Sequence, residues 1–150
     1  MSRVLVFEPS LSGHRPYYAG VLVEELCRLG AEVVFACPED ALDTAEGAES
    51  LENAFKLSEI YPASTLDNAG SSSNARAKFQ QFLNAISDTQ PEHCFVPYAD
   101  GLSQVWGSHP KAKSVLPKDV VVEGLMMRGG FAYPPTSIIQ SIKHLSLIHI

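Results

Sequence analysis

A short polar segment, Ser12-Gly13-His14-Arg15, lies between an apolar run and a helix-like stretch. Glycine lets a backbone approach a ligand closely, and the N–H groups that begin a helix favour anions. An ordinary strand-to-helix turn also uses serine and glycine, but it has no need of His14 followed by Arg15. The segment has neither the G-x-G-x-x-G spacing of a dinucleotide site nor the Gly-Lys-Ser/Thr of a Walker A loop. We therefore expect it to bind a ligand of another kind.

Three further charged residues fall at or near the ends of predicted strands. Asp100 ends "HCFVPYAD", where its carboxylate can accept a proton or a sugar hydroxyl, or can cap the next helix as Asp often does. Arg128 can pair with a phosphate or carboxylate, or lie solvated in a glycine-rich loop. Glu123 is a charge within an apolar strand, and so it has a partner or lies near the site. Spacing leaves these alternatives open.

The elements around the first segment form a βαβ unit. "RVLVF", Arg3 to Phe7, is typical of a buried parallel strand. Pro16 fits the first turn of a helix that ends at Gly30, and the next strand spans residues 31–38. Helical spacing predicts that the core face of this helix consists of Tyr18, Val21, Leu22, Leu26 and Leu29.

The rest of the chain continues the alternation. The patterns predict helices over 46–55, 75–87, 102–106 and 137–144 and strands over 93–100 and 119–127. They predict a short strand or an extended segment over 56–62 and a polar loop over 67–74. The fold class is therefore α/β, a Rossmann-like parallel sheet with helices on both faces. The helix over 75–87 has one apolar face, and Phe79, Phe82 and Trp106 are expected in the core. In such sheets, ligands bind beyond the carboxyl ends of the strands. The polar residues at these ends, which are Ser12 to Arg15, Asp100 and Arg128, therefore form the candidate site.

Composition narrows the class of protein. With 150 residues, 45% hydrophobic and 19% charged, the chain is long enough for one globular domain. Its net charge of −6 argues against nucleic acid as a partner. The three cysteines have no metal-ligand spacing, so we expect free thiols, a reducing compartment and no metal site. With neither a signal peptide pattern nor a bilayer-length apolar run, a cytoplasmic location is expected, which is compatible with peripheral attachment to the inner membrane.

The last six residues stand apart. "LSLIHI", residues 145–150, resembles the translation of a transposase sequencing adapter. We therefore expect residues 1–144 to be the native part, an N-terminal domain incomplete at its C-terminus, and residues 145–150 to be a sequencing-derived tail. We also expect the reading frame to continue beyond His144 in the natural protein.

The first block, "RVLVFEPSLSGHRPYYAGVLVEELCRLGAEVVFACP", resembles the opening of a GT-B-fold glycosyltransferase of the group 1 (family 4-like) kind. Gly13, His14, Arg15 and Tyr18 match the Gly-His-Arg-x-x-Tyr loop of a bacterial branch of that family. "FVPYADGL" and "VEGLMMRGGFAYP" are also similar to this branch. The resemblance covers most of residues 3–143 and is strongest in the first and last blocks.

The resemblance implies two Rossmann-like domains with a cleft between them. This chain would be the acceptor-side domain, and the missing C-terminal domain would bind the nucleotide-sugar donor, so the fragment alone should not transfer sugar. The donor is a substrate, and neither a cofactor nor a metal is implied; the acceptor is a glycan, a lipid or a small molecule. The implied catalytic residues are His14, which would stabilise leaving-group charge or bind acceptor, and Asp100, which would contact acceptor or act as base. The resemblance implies the same two alternative roles for Arg15 as for His14. With the residues singled out by position, the candidate substrate-binding residues are Ser12, Gly13, Arg15, Glu123 and Arg128.

Two alternatives remain from the sequence. One is a non-catalytic, single-domain α/β module for ligand binding or regulation, such as a phosphoreceiver. That class expects an acidic pair after the first strand, where this chain has only Glu8. The other is a sugar-nucleotide epimerase of the same two-domain fold, which only an activity assay would separate from a transferase.

Overall fold

The computed structural model describes residues 2–64, 72–99, 102, 105–106 and 115–125. In chain order, the elements are β1 (Arg3–Phe7), α1 (Arg15–Arg28), β2 (Glu32–Cys37), a 3₁₀ turn (Glu39–Asp43), α2 (Ala45–Leu57), β3 (Glu59–Pro62), α3 (Ser72–Thr89), β4 (His93–Val96) and β5 (Val121–Gly124).

The five strands form one parallel sheet in the order β3-β2-β1-β4-β5. β1 lies at its centre, and Leu5 is in register with Val34 of β2 on one side and with Cys94 of β4 on the other. This arrangement confirms the predicted α/β, Rossmann-like class.

The sheet separates two apolar cores, as the alternation of side chains along a strand requires. On one face, Val6 and Phe35 pack with residues of α1 and α2, among them Val23 and Leu51. On the other face, α3 covers the sheet through Phe79, Phe82, Ala85 and Ile86, which pack with Leu5, Phe7 and Val34. The prediction of helices on both faces is confirmed, as is the predicted core position of Phe79 and Phe82; Trp106 is partly buried and packs against this core.

The buried face of α1 differs from the predicted one. Its buried residues are Pro16, Ala19, Gly20 and Val23. Tyr18, Val21 and Leu29 are 39%, 46% and 72% exposed, so their predicted core positions are wrong. The physical reason is close packing of the two helices: a Cβ atom on Gly20 would lie 2.1 Å from the Ser50 carbonyl oxygen of α2. Small residues therefore face α2, and larger apolar ones are turned outward.

The end of α1 lies where it was predicted. The Gly30 N–H donates to the Cys27 carbonyl at 3.0 Å, and the Ala31 N–H donates to the Leu26 carbonyl at 3.0 Å. With Gly30 at φ +86°, these bonds form a Schellman motif, which satisfies carbonyl groups at the helix end.

The other boundaries shift by a few residues. α2 extends one residue before and two beyond its predicted range, and α3 begins at Ser72, inside the predicted polar loop. β4 and β5 are shorter than predicted, with four residues each. The predicted helix over 137–144 lies outside the described residues, as do most of the loop over 67–74 and residues 145–150. In the part of the chain that the structure describes, no helix is both long and apolar enough to cross a membrane.

The three cysteines are free thiols, as predicted. Cys37 and Cys94 are fully buried in the two cores, and Cys27 is partly exposed. Burial raises the pKa of both buried thiols from an ordinary value of 9.0 to about 12, because a thiolate is poorly solvated there. These two thiols should therefore be chemically inert in the folded chain.

We expect Cys37 and Cys94 to resist a thiol reagent at about pH 8 until the chain unfolds. Their raised pKa values also predict lower stability in alkali. Below the ordinary pKa of 9.0, both thiols are protonated in the folded and in the unfolded chain. Above it, only the unfolded chain loses these protons, so the free energy of unfolding falls until the pH reaches about 12. The slope should approach about 1.4 kcal/mol per pH unit for each thiol. Urea unfolding at several alkaline pH values measures it.

Tyr61 provides the control for this measurement. Its hydroxyl donates to Asp88 Oδ2 at 2.7 Å, and this bond raises the pKa of Tyr61 from 10.0 to about 12. The phenol therefore adds a loss of the same sign at still higher pH. A Tyr61→Phe variant removes that contribution, and a slope that vanished in this variant would contradict the assignment to the thiols.

Candidate functional site

The strand order places a topological switch point beside the central strand. From β1 the chain crosses to β2 on one side, and it later returns to pair β4 on the other side. In open parallel sheets, ligands bind at such a switch point, outside the carboxyl ends of the two strands. Here residues 8–14 leave β1 and residues 97–99 leave β4 at the same edge. We call this place the switch-point crevice.

The loop that leaves β1 is held in shape by its own polar groups. The Glu8 N–H donates to the Ala36 carbonyl at 2.9 Å, which continues the sheet by one residue. The Glu8 carboxylate is buried, with only 3% of the residue exposed, and its Oε1 accepts the Ser10 N–H at 3.2 Å. Ser10 is also buried, and its hydroxyl lies 3.3 Å from that of Ser12. This bonding fixes the path of the loop toward Gly13.

The end of the loop presents three exposed residues, Ser12, Gly13 and His14. Gly13 has φ +66°, a backbone conformation that other residues rarely adopt, so a glycine is needed here. His14 is the N-cap residue of α1; its carbonyl accepts the Tyr18 N–H at 3.2 Å, while its side chain makes no capping bond. The imidazole is therefore exposed at the start of α1 rather than used to cap the helix.

Arg15 joins the two loops of the crevice. Its guanidinium carbon lies 3.9 Å from the centre of the Tyr98 ring, a cation–π contact between the first turn of α1 and the segment after β4. Both residues are partly buried. The structure thus brings Arg15 against Tyr98 of the segment after β4, although the two residues are far apart in the sequence.

The segment after β4 is also tied to β5. The Leu125 N–H donates to the Val96 carbonyl at 3.1 Å, and the Ala99 N–H donates to the Leu125 carbonyl at 3.0 Å. Tyr98 lies in the sequence between Val96 and Ala99, the two residues that make these bonds. Its ring is therefore presented to Arg15 from a backbone that the sheet itself holds.

Glu123 lies on β5, in register with Phe95 of β4, and its side chain is exposed. Among the described residues no hydrogen bond or ion pair to it is found, and exposure to water accounts for a charge in this strand. Asp100 and Arg128 lie outside the described residues. The described site therefore consists of Ser12, Gly13, His14 and Arg15 from one loop, with Tyr98 from the other.

Glu8 and Tyr98 were not predicted as site residues. Glu8 could have been found as a carboxylate placed directly after an apolar strand, where burial demands hydrogen bonds. For Tyr98, the position at a strand end is a weak indication, because the contact with Arg15 depends on the order of the strands.

Removing the Glu8 carboxylate should loosen the loop. We expect Glu8→Ala to lower the free energy of unfolding by about 1–3 kcal/mol, since the buried Ser10 N–H loses its acceptor. Chemical denaturation measures the loss. Glu49→Ala, at an exposed position of α2, is the matched control and should leave the midpoint unchanged; equal midpoints for both variants would contradict a structural role of Glu8.

The chemistry available here suits a polar ligand with a negative group. An imidazole and a guanidinium stand at the first turn of α1, which contains no acidic residue. Such groups can donate hydrogen bonds to a phosphate or carboxylate and can stabilise charge that develops on a leaving group.

Comparisons with known proteins do not extend this description. No protein-family model matches the chain, and no curated protein or solved structure matches it.

Proposed function

We propose that the chain is the N-terminal, acceptor-side domain of a GT-B-fold glycosyltransferase of the group 1 kind. Such an enzyme moves a sugar from a nucleotide-sugar donor to an acceptor. One observation carries the proposal: the Gly-His-Arg loop, on which the sequence resemblance depends, lies at the switch point of a parallel sheet. Its contact with the segment after β4 joins it to a second block of the same resemblance.

The proposed roles follow from position and chemistry. His14 stabilises the negative charge of the leaving diphosphate or contacts the acceptor, because its imidazole is exposed and takes no part in capping. Arg15 binds an anionic group of the substrate. Ser12 and Gly13 let the backbone approach the ligand closely. Asp100 is proposed as the group that contacts the acceptor hydroxyl or removes its proton.

The remaining parts of the proposal concern the β5 side of the cleft, the donor domain and the location of the enzyme. Glu123 and Arg128 are proposed to bind substrate from the β5 side of the cleft. The donor is held mainly by a second domain of the same chain, and the chemistry needs no cofactor besides the nucleotide-sugar. The proposed location is the cytoplasm, which allows peripheral attachment to the inner membrane. The proposed substrates are a nucleotide-sugar donor and a glycan, lipid or small-molecule acceptor.

The decisive experiment begins with the gene. The reading frame past Lys143 is recovered from overlapping genomic sequence, and the complete protein is expressed and incubated with a panel of nucleotide-sugars and acceptors. We expect a second α/β domain with a basic pair and a carboxylate for the donor, and release of the nucleotide with sugar transfer. A complete frame without such a domain would refute the proposal. Interconversion of the nucleotide-sugar without an acceptor would assign an epimerase instead.

A further inference from the structure

The contact between Arg15 and Tyr98 bears on how the site would work. A guanidinium stacked on an aromatic ring uses its face and leaves its edge of N–H donors free. Among the described residues, no hydrogen bond or ion pair engages the Arg15 side chain besides this stack. The edge of its N–H donors is therefore the part of the guanidinium that a ligand could contact.

Tyr98 is suited to fix that plane. The backbone before and after it is bonded to Leu125: the Val96 carbonyl accepts the Leu125 N–H, and the Ala99 N–H donates to the Leu125 carbonyl. Arg15 lies in the first turn of α1, directly after the ordered loop. The ring and the guanidinium are thus each carried by backbone that is already fixed, and the stack restricts the remaining rotation of the long arginine side chain.

We propose that Tyr98 is a positioning residue, which orients the Arg15 guanidinium so that its N–H edge receives a phosphate group of the substrate. This inference rests on the proposed function for the role of Arg15 as a substrate-binding residue. It adds a residue that the resemblance does not assign and a reason for an aromatic side chain at that place. A preorganised donor pair binds more tightly than a mobile one, because less side-chain freedom is lost on binding.

The test compares variants of the chain in two measurements. In the first, NMR records the side-chain N–H signal of Arg15, which we expect to lie upfield of that of the exposed Arg28 because it faces a ring. Tyr98→Phe keeps the stack and should keep the shift, whereas Tyr98→Leu should lose it. Tyr17→Leu is the matched control. Tyr17 lies in the same helical turn as Arg15 and is 59% exposed, but its ring contacts Tyr18.

In the second measurement, the same variants are titrated with inorganic pyrophosphate and with glucose 6-phosphate. We expect binding to weaken about tenfold in Tyr98→Leu and in Arg15→Lys, which keeps the charge but not the planar fork. Tyr98→Phe and Tyr17→Leu should bind as the unmodified chain does. Preference for pyrophosphate assigns the anionic group to the donor, and preference for the sugar phosphate assigns it to the acceptor.

The inference is overturned if Tyr98→Leu keeps the shift, if it binds both probes as tightly as the unmodified chain, or if the unmodified chain binds neither. These results are separate from those that decide the proposed function. Binding that depends on Tyr98 would stand even if the complete gene encoded no donor domain. Sugar transfer by a complete enzyme would stand even if Tyr98 proved dispensable.

Discussion

Gly20→Ala is expected to lower the free energy of unfolding by about 2–3 kcal/mol, although alanine favours a helix by about 1 kcal/mol over glycine. The added Cβ would lie 2.1 Å from the Ser50 carbonyl oxygen and 3.3 Å from its carbon. Both atoms belong to the backbone of α2, so no side chain can rotate away. The two helices must separate, which opens the core around Val23 and Leu51. Urea denaturation monitored by circular dichroism measures the loss.

The neighbouring residue supplies the control for this prediction. Val21 is 46% exposed, and Val21→Ala should change the unfolding free energy by no more than about 0.5 kcal/mol. If Gly20→Ala were as stable as Val21→Ala, the close approach of α1 and α2 would be refuted. A larger residue at position 20 should be worse still, and Gly20→Val should reduce the yield of folded protein.

The packing of α1 also shows what local patterns predict and what they do not. The bounds of β1 and the turn at Gly30 follow from a β-branched apolar run and from a glycine placed after a helix. The buried face of α1 cannot be predicted from such patterns, because Ala19 and Gly20 add little to a hydrophobic pattern. Their burial depends on the nearness of α2, which is a tertiary property.

The same distinction holds for the candidate site. The position of the loop from Ser12 to Arg15, between β1 and α1, is predictable because an apolar β-branched run precedes it and a helical pattern follows. That the loop meets Tyr98 depends on β4 pairing with β1, which hydrophobic periodicity does not specify. For Glu8, the position directly after an apolar strand indicates burial, but the group that its carboxylate accepts from, the Ser10 N–H, is defined only in the folded loop.

If the chain belongs to the transferase that we propose, His14→Ala is expected to reduce kcat of the complete protein by about 10²–10³-fold, with little change in KM for the donor. The exposed imidazole would act on charge that develops only as the bond to the leaving group breaks, so its loss should raise the barrier without weakening ground-state binding. The measurement is initial-rate kinetics of sugar transfer by the complete protein. His14→Gln keeps a hydrogen-bond donor and should recover part of the rate.

A second histidine allows a matched comparison. His93 is the first residue of β4, and in a parallel sheet this places it at the edge opposite the crevice. His93→Gln should therefore retain the rate of the unmodified enzyme, and equal urea midpoints for both histidine variants would show that folding is intact. Full activity of His14→Ala would remove His14 from the mechanism. A rise in KM at unchanged kcat would instead make it a binding residue, because it would then contact the ground state and the transition state equally.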